Sequence, residues 1–378
     1  MIYTLRLFDT PLVCFSAEHG AEAAIQIRWA DENHKELLPL DFQRLVDAER
    51  LEAWLRHRSI PRNRAYVDAI LASQGLSLNR PMDVIRLSKG LSLNDCYWVT
   101  EDGFDGTFAQ FNLYDNKFSR VLGEIAFTGY GSTNSSRISA SPEFTTNGML
   151  PKCWRRQNGV VRLYKGGTEG ASNTGNEPYS EYYASQIAET LGVNAVSYSL
   201  TSWKGRLCSV CEMFTSKELS FISVGRLVSK GGMSAVRTYC ETLGKQFVDA
   251  LNEMIVFDAV ICNTDRHFGN FGFLVDSHAN RIVAPAPLFD HGNSLFSLAP
   301  LDAFESLSAL RKYMRTLQPR VYDDFINEAK TAITHTQRNS LRKLLNFKFK
   351  RSPRHNWGPK RIAMVERMIS ERAMEILD

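Results

Sequence analysis

The sequence lacks long apolar runs, and it lacks an excess of charge of either sign. No stretch approaches the roughly 20 apolar residues that a membrane helix needs. The opening MIYTLRLF is followed by an aspartate and a proline, and it has neither the basic start nor the small-residue cleavage site of a signal peptide. We therefore expect a soluble, cytoplasmic protein with no membrane partner.

The charge is nearly balanced, since 45 Lys and Arg face 41 Asp and Glu, a formal net charge of +4. This is weak for a dedicated nucleic-acid binder of this size, so composition alone names no partner. The 378 residues are 44% hydrophobic. They can therefore bury a sizeable core, and the length predicts two or three domains.

The cysteines form no disulfide framework that the sequence reveals. Their number is odd, seven, and they are spread along a long chain, which favours reduced thiols. Cys208 and Cys211 make a C-x-x-C pair, but a zinc ribbon needs a second pair at short range, and Cys240 and Cys262 stand alone. We predict that LCSVCEMF is a buried strand rather than a metal or redox site.

Residues 1–128 are predicted to form an accessory α/β module. YTLRLF, PLVCFS and AAIQIRW carry β-branched and aromatic residues in partial alternation, which predicts an N-terminal sheet. DFQRLVDAERLEAWLRHR then predicts a helix, and AYVDAILASQG a second helix that ends at Gly75. The first of these helices is expected to carry its apolar residues at helical intervals, namely Phe42, Leu45, Leu51, Trp54 and Leu55.

Residues 129–216 and 217–378 are predicted to form two further domains. The Gly- and Ser-rich stretch 128–144 predicts a flexible loop between modules. VVRLYKGG predicts a strand, PYSEYYASQIAETLGV a helix and GKQFVDALNEMIVFDAVIC a buried helix. FGFLVD and RIVAPAPLFD predict a hairpin around SHAN. The chain beyond about residue 300 is expected to be helical, with the basic insert KFKRSPRHNWGPKR.

A dense polar cluster, NTDRHFGN, follows the buried helix directly. Asp265 and Asn270 lie in it, and Asp290 stands at the end of the next hairpin, so three oxygen-bearing side chains can converge. Phosphoryl transfer from ATP needs this set: a carboxylate that accepts the hydroxyl proton, and an amide and a carboxylate that hold magnesium. Protein kinases have the same Asp-to-Asn spacing, and their D-F-G is matched in spacing by DHG here. Taken alone, DRH is typical of a helix cap and D-x-G of a turn. Their occurrence together and in this order favours a catalytic site.

Two neighbouring residues have open roles at this stage. His267 is a candidate catalytic residue, but its imidazole equally suits a hydrogen bond that braces the loop. Asp258, on the preceding helix, is either a brace behind the loop or, as we expect, a partly exposed helical aspartate.

An ATP site also needs a cation for the phosphates, normally a strand lysine held by a helix carboxylate. VVRLYKGG supplies Lys165, and SEYYASQIAETLGV supplies Glu181, one strand and one helix before the polar loop. A lysine at a strand end is usually only solvated. Its order relative to the other parts predicts that it binds ATP phosphates.

Five segments, TTNGMLPKCW, VVRLYKGG, SEYYASQIAETLGV, NTDRHFGNFG and PLFDHGNS, together resemble the HipA-like serine/threonine kinases of bacterial toxin-antitoxin systems. The resemblance covers residues 140–300 firmly, and the N-terminal stretch is similar to that of stand-alone HipA-like proteins. It implies an α+β, bilobal, protein-kinase-like fold with a mixed N-terminal lobe over 129–216, a mainly helical C-terminal lobe over 217–378, and ATP and Mg²⁺ between them.

The resemblance also implies roles for individual residues. Asp265 is then the catalytic base, Asn270 and Asp290 hold magnesium, Lys165 contacts the phosphates and Glu181 orients Lys165. CEMF is the implied hinge, with backbone groups near Glu212 and Phe214 contacting adenine.

The implied phosphate loop, TTNGMLPK, has a single glycine, Gly148, where ordinary kinases have three. Its backbone amides can still hold oxyanions, and Lys152 adds charge. In the family, a hydroxyl residue shortly before that glycine can be autophosphorylated, which silences the enzyme. Thr145 matches that place, and Thr146 is its neighbour.

Three other interpretations remain. A small-molecule phosphotransferase uses the same carboxylates. A nucleic-acid-binding protein would use residues 64–89 as a helix-turn-helix and the basic insert for phosphates. A pseudokinase is disfavoured because the Lys, Asp, Asn and Asp set is intact. The resemblance implies a protein substrate, with translation components as an example, and an antitoxin partner is conceivable from the family.

Overall fold

The structure, a computed structural model, describes residues 1–18, 24–131, 141–170 and 173–378. Two compact units divide the chain. The first comprises Met1–Tyr164, Met213–Ile222 and Leu274–Val283, and the second comprises Lys165–Glu212, Ser223–Phe273 and Ala284–Asp378. The domain limits at 128 and 216 stay predictions.

The strands within the described ranges are β1 Ile2–Leu7, β2 Thr10–Ala17, β3 Ile25–Ala30, β4 Tyr97–Glu101, β5 Lys152–Gln157, β6 Val160–Gly166, β7 Ser199–Trp203, β8 Arg206–Glu212, β9 Leu219–Ser223, β10 Gly272–Asp276 and β11 Arg281–Pro285. The α-helices are α1 Ala48–Arg56, α2 Val67–Ala72, α3 Pro81–Ser88, α4 Phe108–Phe111, α5 Arg120–Thr128, α6 Glu177–Leu191, α7 Val224–Leu227, α8 Gly232–Leu243, α9 Lys245–Ile261, α10 Leu307–Met314, α11 Phe325–Ala332, α12 His335–Arg342 and α13 Pro359–Leu377.

The first unit is built on an antiparallel sheet in the order β3-β2-β1-β4. Alternation along β1 buries Tyr3, Leu5 and Leu7, because successive side chains of a strand point to opposite faces. Leu5 is aligned with Val13 of β2 and Val99 of β4. The three predicted N-terminal strands are confirmed, and β4 is an addition to them.

The helix predicted over DFQRLVDAERLEAWLRHR is wrong at its start. It begins only at Ala48, because the Asp47 carboxylate caps it by accepting the backbone N–H of Arg50 at 2.8 Å. Phe42 is buried outside the helix, and Leu45 is exposed. The second helix ends at Ala72 rather than at Gly75, which lies in the following turn with φ +67°.

Two further parts of the first unit bear on the predictions. The hairpin around SHAN is confirmed, with β10 and β11 as neighbours and the Asp276 carboxylate accepting the backbone N–H groups of His278 and Ala279 at 2.9 and 2.8 Å. Of the predicted flexible loop over 128–144, residues 132–140 lie outside the described residues.

The second unit is mainly helical, as predicted for the chain after about residue 217. Helix α9 buries apolar side chains from Phe247 to Ile261, and α13 packs beside it, with Arg372 Nε donating to the Ala259 carbonyl oxygen at 3.1 Å. The predicted helix over PYSEYYASQIAETLGV is α6, which ends where Gly192 adopts φ +75°. None of the helices in the described ranges is long and apolar enough to cross a membrane.

Strand β8 carries Cys208 and Cys211 as buried free thiols, so the buried-strand prediction is confirmed. Burial raises the pKa of Cys211 to about 12, which keeps this thiol protonated.

Candidate active site

The polar loop, residues 263–270, begins after α9 ends at a residue in the left-handed conformation. Cys262 has φ +51°, and its backbone N–H donates to the Asp258 carbonyl oxygen. Asn263 then donates its side-chain N–H to Asp258 Oδ1 at 3.0 Å, and its own Oδ1 accepts the backbone N–H of Asp265 at 3.1 Å. The loop is therefore tied to the last turn of a buried helix, which holds Asp265 at a fixed place.

Arg266 lies at the centre of this loop and is 1% exposed. Its Nε and Nη2 donate to the two Asp258 oxygens at 2.9 and 3.0 Å. Its Nη1 donates to the carbonyl oxygens of Asn270 at 3.0 Å and Phe289 at 2.7 Å. One guanidinium thus fixes the backbone beside both predicted magnesium ligands, Asn270 and Asp290.

His291 completes this buried network. Its Nδ1 lies 3.1 Å from Arg266 Nη2 and must be the acceptor, because a guanidinium only donates. Burial, and then the charge of Arg266, hold the pKa of His291 well below its usual range, so the ring is neutral. The Ser180 hydroxyl, 2.9 Å from the His291 carbonyl oxygen, ties this segment to α6.

The predicted lysine and two of the predicted carboxylates meet directly. Lys165 Nζ lies 2.5 Å from Glu181 Oε1 and 2.5 Å from Asp290 Oδ1. The side chains of Lys165 and Glu181 are 8% and 0% exposed, and that of Asp290 is 33% exposed. Burial alone would lower the pKa of Lys165, but the charges of Asp290 and then Glu181 raise it above its usual value. The ammonium is therefore permanently charged.

The backbone at Asp290 is strained. Its φ of +60° is uncommon for a residue other than glycine, and such conformations concentrate at functional sites. Its backbone N–H donates to the Tyr198 hydroxyl oxygen at 3.2 Å. Burial raises the pKa of Glu181, and Asp290 adds to this effect, because two carboxylates share one ammonium.

The polar loop presents Asp265 at the surface and Asn270 within the loop. Asp265 is paired with Arg320, and the two side chains are 32% and 55% exposed. Asn270 donates its side-chain N–H to the Asp265 carbonyl oxygen at 3.4 Å, which leaves the amide oxygen as its acceptor. His267 Nδ1 accepts the backbone N–H of Gly269 at 3.0 Å, and burial lowers the pKa of this ring. These contacts favour the bracing role of His267 over a catalytic one.

The donor set suits magnesium. Asp290 and Asn270 offer a carboxylate and an amide oxygen, and Mg²⁺ is usually held by one or two such ligands together with substrate phosphates and water. Nowhere in the described ranges do three or more His, Cys, Asp or Glu side chains gather as a metal cluster. The magnesium-binding roles of Asn270 and Asp290 stay predictions.

The predicted phosphate loop lies in the first unit. Gly148 has φ +93°, and Lys152 Nζ donates to the Asn147 carbonyl oxygen at 2.9 Å. Thr145 is buried, with its hydroxyl donating to the Leu91 carbonyl oxygen at 2.8 Å, and the Thr146 hydroxyl donates to the Pro142 carbonyl oxygen at 2.6 Å. Both hydroxyls face the protein, so their phosphorylation requires this segment to move.

The predicted hinge coincides with a change of unit. Glu212 is the last residue of β8 and is exposed, and the chain passes into the first unit at Met213. Phe214 packs edge-on against Phe221, with ring centroids 5.6 Å apart. The roles of Glu212 and Phe214 stay predictions.

One expectation about the site is wrong. Asp258 is fully buried, not partly exposed, because it neutralises Arg266 behind the polar loop. The importance of Arg266, His291, Tyr198 and Arg320 did not emerge from the sequence. The available signal was an aspartate in an otherwise apolar stretch of helix, since a buried carboxylate requires a partner.

The fold is that of HipA-type proteins. The chain is similar to a solved structure of the Shewanella oneidensis MR-1 toxin-antitoxin system HipA, HipB and its operator DNA. The superposition covers 100% of this chain and 99% of that chain, with a TM-score of 0.55 and 12% sequence identity. At this identity the likeness shows the fold alone. It confirms the predicted α+β, HipA-like fold class.

A serine/threonine-protein kinase, CtkA of Helicobacter pylori (strain J99), is 28% identical over 138 residues, which are 33% of this chain and 42% of the relative. The chain therefore matches less than half the length of that relative. A crystal structure of a Helicobacter pylori proinflammatory kinase CtkA covers 60% of this chain and 91% of that chain, with a TM-score of 0.48 and 19% identity. No family model matches. The predicted resemblance to HipA-like kinases is confirmed.

Proposed function

We propose that this protein is an ATP- and Mg²⁺-dependent serine/threonine protein kinase of HipA-like type. The observation that carries the proposal is the contact of Lys165 with both Glu181 and Asp290, at 2.5 Å each. A strand lysine, a helix carboxylate and a carboxylate that follows a hairpin form the phosphate- and metal-binding part of kinase sites.

Each side chain has a task in this proposal. Lys165 neutralises the ATP phosphates, and Glu181 holds the lysine in place. Asn270 and Asp290 would hold magnesium, which supplies positive charge to the transferred phosphoryl group. Asp265 accepts the proton of the attacking hydroxyl, and its partial exposure allows a substrate side chain to reach it.

The finer proposals follow the resemblance. We propose a role as a toxin or regulator in the cytoplasm, a protein substrate such as a translation component, and self-phosphorylation at Thr145 or Thr146. The CtkA relative is named a serine/threonine-protein kinase, and the HipA structure holds HipB and operator DNA; an antitoxin partner is proposed here on that ground. Phosphopeptide mapping that finds no phosphate on Thr145 or Thr146 would remove the self-phosphorylation proposal.

The test uses γ-labelled ATP with the purified chain and cell lysate. We expect label on protein, and we expect Asp265→Ala to lower the rate by about 10²-fold or more, the scale of a positioned proton acceptor. Asp249→Ala is the matched control, because Asp249 is a half-exposed acid on α9 that pairs with Lys245. Label on a metabolite instead of protein would favour a small-molecule phosphotransferase.

A second measurement addresses the metal. Asp290→Asn should abolish magnesium-dependent nucleotide binding, measured by calorimetry with and without Mg²⁺. Asp265→Ala should leave most of this binding intact, since its carboxylate acts on the acceptor. An unaltered nucleotide affinity in Asp290→Asn would contradict the assignment of Asp290.

A further inference from the structure

The predicted phosphate loop is held by an arginine from the N-terminal part of the first unit. Arg64 is 2% exposed and forms a buried ion pair with Glu143, in which Nη2 lies 2.5 Å from Oε2. Its Nη1 donates to the carbonyl oxygens of Glu143 at 2.5 Å and Thr146 at 3.3 Å, and its Nη2 donates to that of Lys152 at 3.0 Å. The accepting residues span both ends of the loop.

Neighbouring contacts close the same segment, residues 143–152. The backbone N–H of Ala65 donates to the Met149 carbonyl oxygen at 2.8 Å, next to Gly148. Glu143 Oε1 accepts the backbone N–H of Trp154 at 2.9 Å, and the Trp154 indole N–H donates to Thr146 Oγ1 at 3.1 Å. The loop backbone is thus fixed from residues 64–65 on one side and from β5 on the other.

A buried ion pair is by itself a poor source of stability, since hydrophobic residues of similar volume often do as well. Arg64 does what no apolar residue can do, because it donates to three carbonyl groups at the two ends of the loop. Its contribution is therefore to the shape of the loop.

We propose that Arg64 is a positioning residue for ATP: it fixes the 143–152 segment so that the backbone N–H groups around Gly148, and Lys152, face the phosphates. This inference rests on the proposed function. It also assigns a task to Arg64, a residue outside the kinase-like motifs of the sequence.

Arg64→Lys keeps the charge but loses the planar fork that reaches several acceptors at once. Because the loop would bind ATP equally in the ground and transition states, its displacement should raise KM for ATP and leave kcat nearly unchanged. Losing the equivalent of one charge-assisted hydrogen bond corresponds to an increase in KM on the order of 10-fold.

The chain offers a matched control, Arg58→Lys. Arg58 is also 2% exposed and forms a two-bond buried ion pair with Asp95, at 2.8 and 2.5 Å, and its guanidinium lies over the ring of Trp54 rather than at the 143–152 segment. Both variants lose a buried bidentate pair of the same unit. We expect the rise in KM in Arg64→Lys only.

A readout independent of turnover is hydrogen exchange of the backbone amides over residues 144–152. Exchange there should be faster in Arg64→Lys than in the wild type and in Arg58→Lys. If Arg64→Lys fails to fold, Glu143→Gln is the second variant, since it removes the charge of the pair and keeps the acceptors on the loop backbone.

The outcomes separate the two proposals. If the wild type is active and KM for ATP is unchanged in Arg64→Lys, the inference about Arg64 is overturned, and the proposed kinase function stands. The same holds for Glu143→Gln where it replaces Arg64→Lys. If the wild type does not turn over ATP, the proposed function is wrong. Hydrogen exchange of residues 144–152 then tests the structural role of Arg64 separately. Unchanged exchange in Arg64→Lys shows that Arg64 does not hold the segment.

Discussion

The buried guanidinium of Arg266 allows a prediction about both stability and rate. In Arg266→Lys the ammonium can still pair with Asp258, but three donors on a flexible stem cannot replace the contacts with Asp258, the carbonyl oxygens of Asn270 and Phe289, and His291. Breaking a buried pair outright costs about 3–5 kcal/mol. Because the charge is kept, we expect a loss near the lower limit, about 3 kcal/mol.

The rate should fall as well, for a geometric reason. Arg266 joins the carbonyl groups of Asn270 and Phe289, so its loss lets the polar loop and the segment of Asp290 move relative to each other. A misplacement of about 1 Å can lower a rate by about 10²-fold. The assays are urea unfolding followed by tryptophan fluorescence, and transfer of labelled phosphate from ATP.

The control is Arg311→Lys in the same unit. Arg311 also binds a carboxylate with two bonds, to Glu371 at 2.7 and 2.7 Å, but the side chains are 39% and 19% exposed. A pair of this kind contributes about 1 kcal/mol or less. If the two variants unfold at the same urea concentration and retain the same rate, Arg266 does not organise the site.

Two more predictions concern titratable groups. Glu181→Gln should weaken ATP binding, measured by calorimetry, by about 10-fold, because Lys165 loses one of its two carboxylates. The control, Glu189→Gln, alters an exposed acid on the same helix α6 and should bind ATP normally. Equal ATP affinities in the two variants would exclude the orienting role of Glu181. His291 has a lowered pKa in the folded state, so the unfolded chain binds more protons and stability is lost as pH falls below about 6.5. His291→Gln keeps an acceptor for Arg266 and should reduce the loss of stability between about pH 7 and 5, measured as the urea midpoint. The control, His335→Gln, changes an exposed histidine and should not. Parallel pH profiles in the wild type and both variants would refute this role of His291.

The sequence predicted those parts of the site that depend on local order. Helix α9 follows from its apolar length, and the polar loop after it is a dense cluster of chemically useful residues. Lys165 and Glu181 were predicted from their order along the chain, and the structure brings both to Asp290. Their roles in ATP binding stay predictions.

What the sequence could not supply depends on backbone geometry and long-range contacts. Cys262 and Asp290 both adopt positive φ, which residues other than glycine rarely do, so nothing local indicates the two turns. The apolar spacing around Phe42 identified a buried side chain correctly but not a helix. The same spacing also included Leu45, which is exposed, so spacing alone does not settle burial, and the Asp47 cap decides where the helix begins.

The burial of Arg64 and of Arg266 has one physical cause. Irregular loops leave backbone carbonyl groups without the partners that helices and sheets provide, and a buried carbonyl needs a donor. A guanidinium offers five donors in one plane, so Arg64 in the first unit and Arg266 in the second each bind several loop carbonyl groups, with a buried carboxylate to balance the charge. In composition these residues count as surface charge. In the structure they fix the loops to which the proposed chemistry is assigned. Each is paired with a buried carboxylate, so an aspartate or glutamate in an apolar segment near such a loop signals a buried arginine better than the arginine itself does.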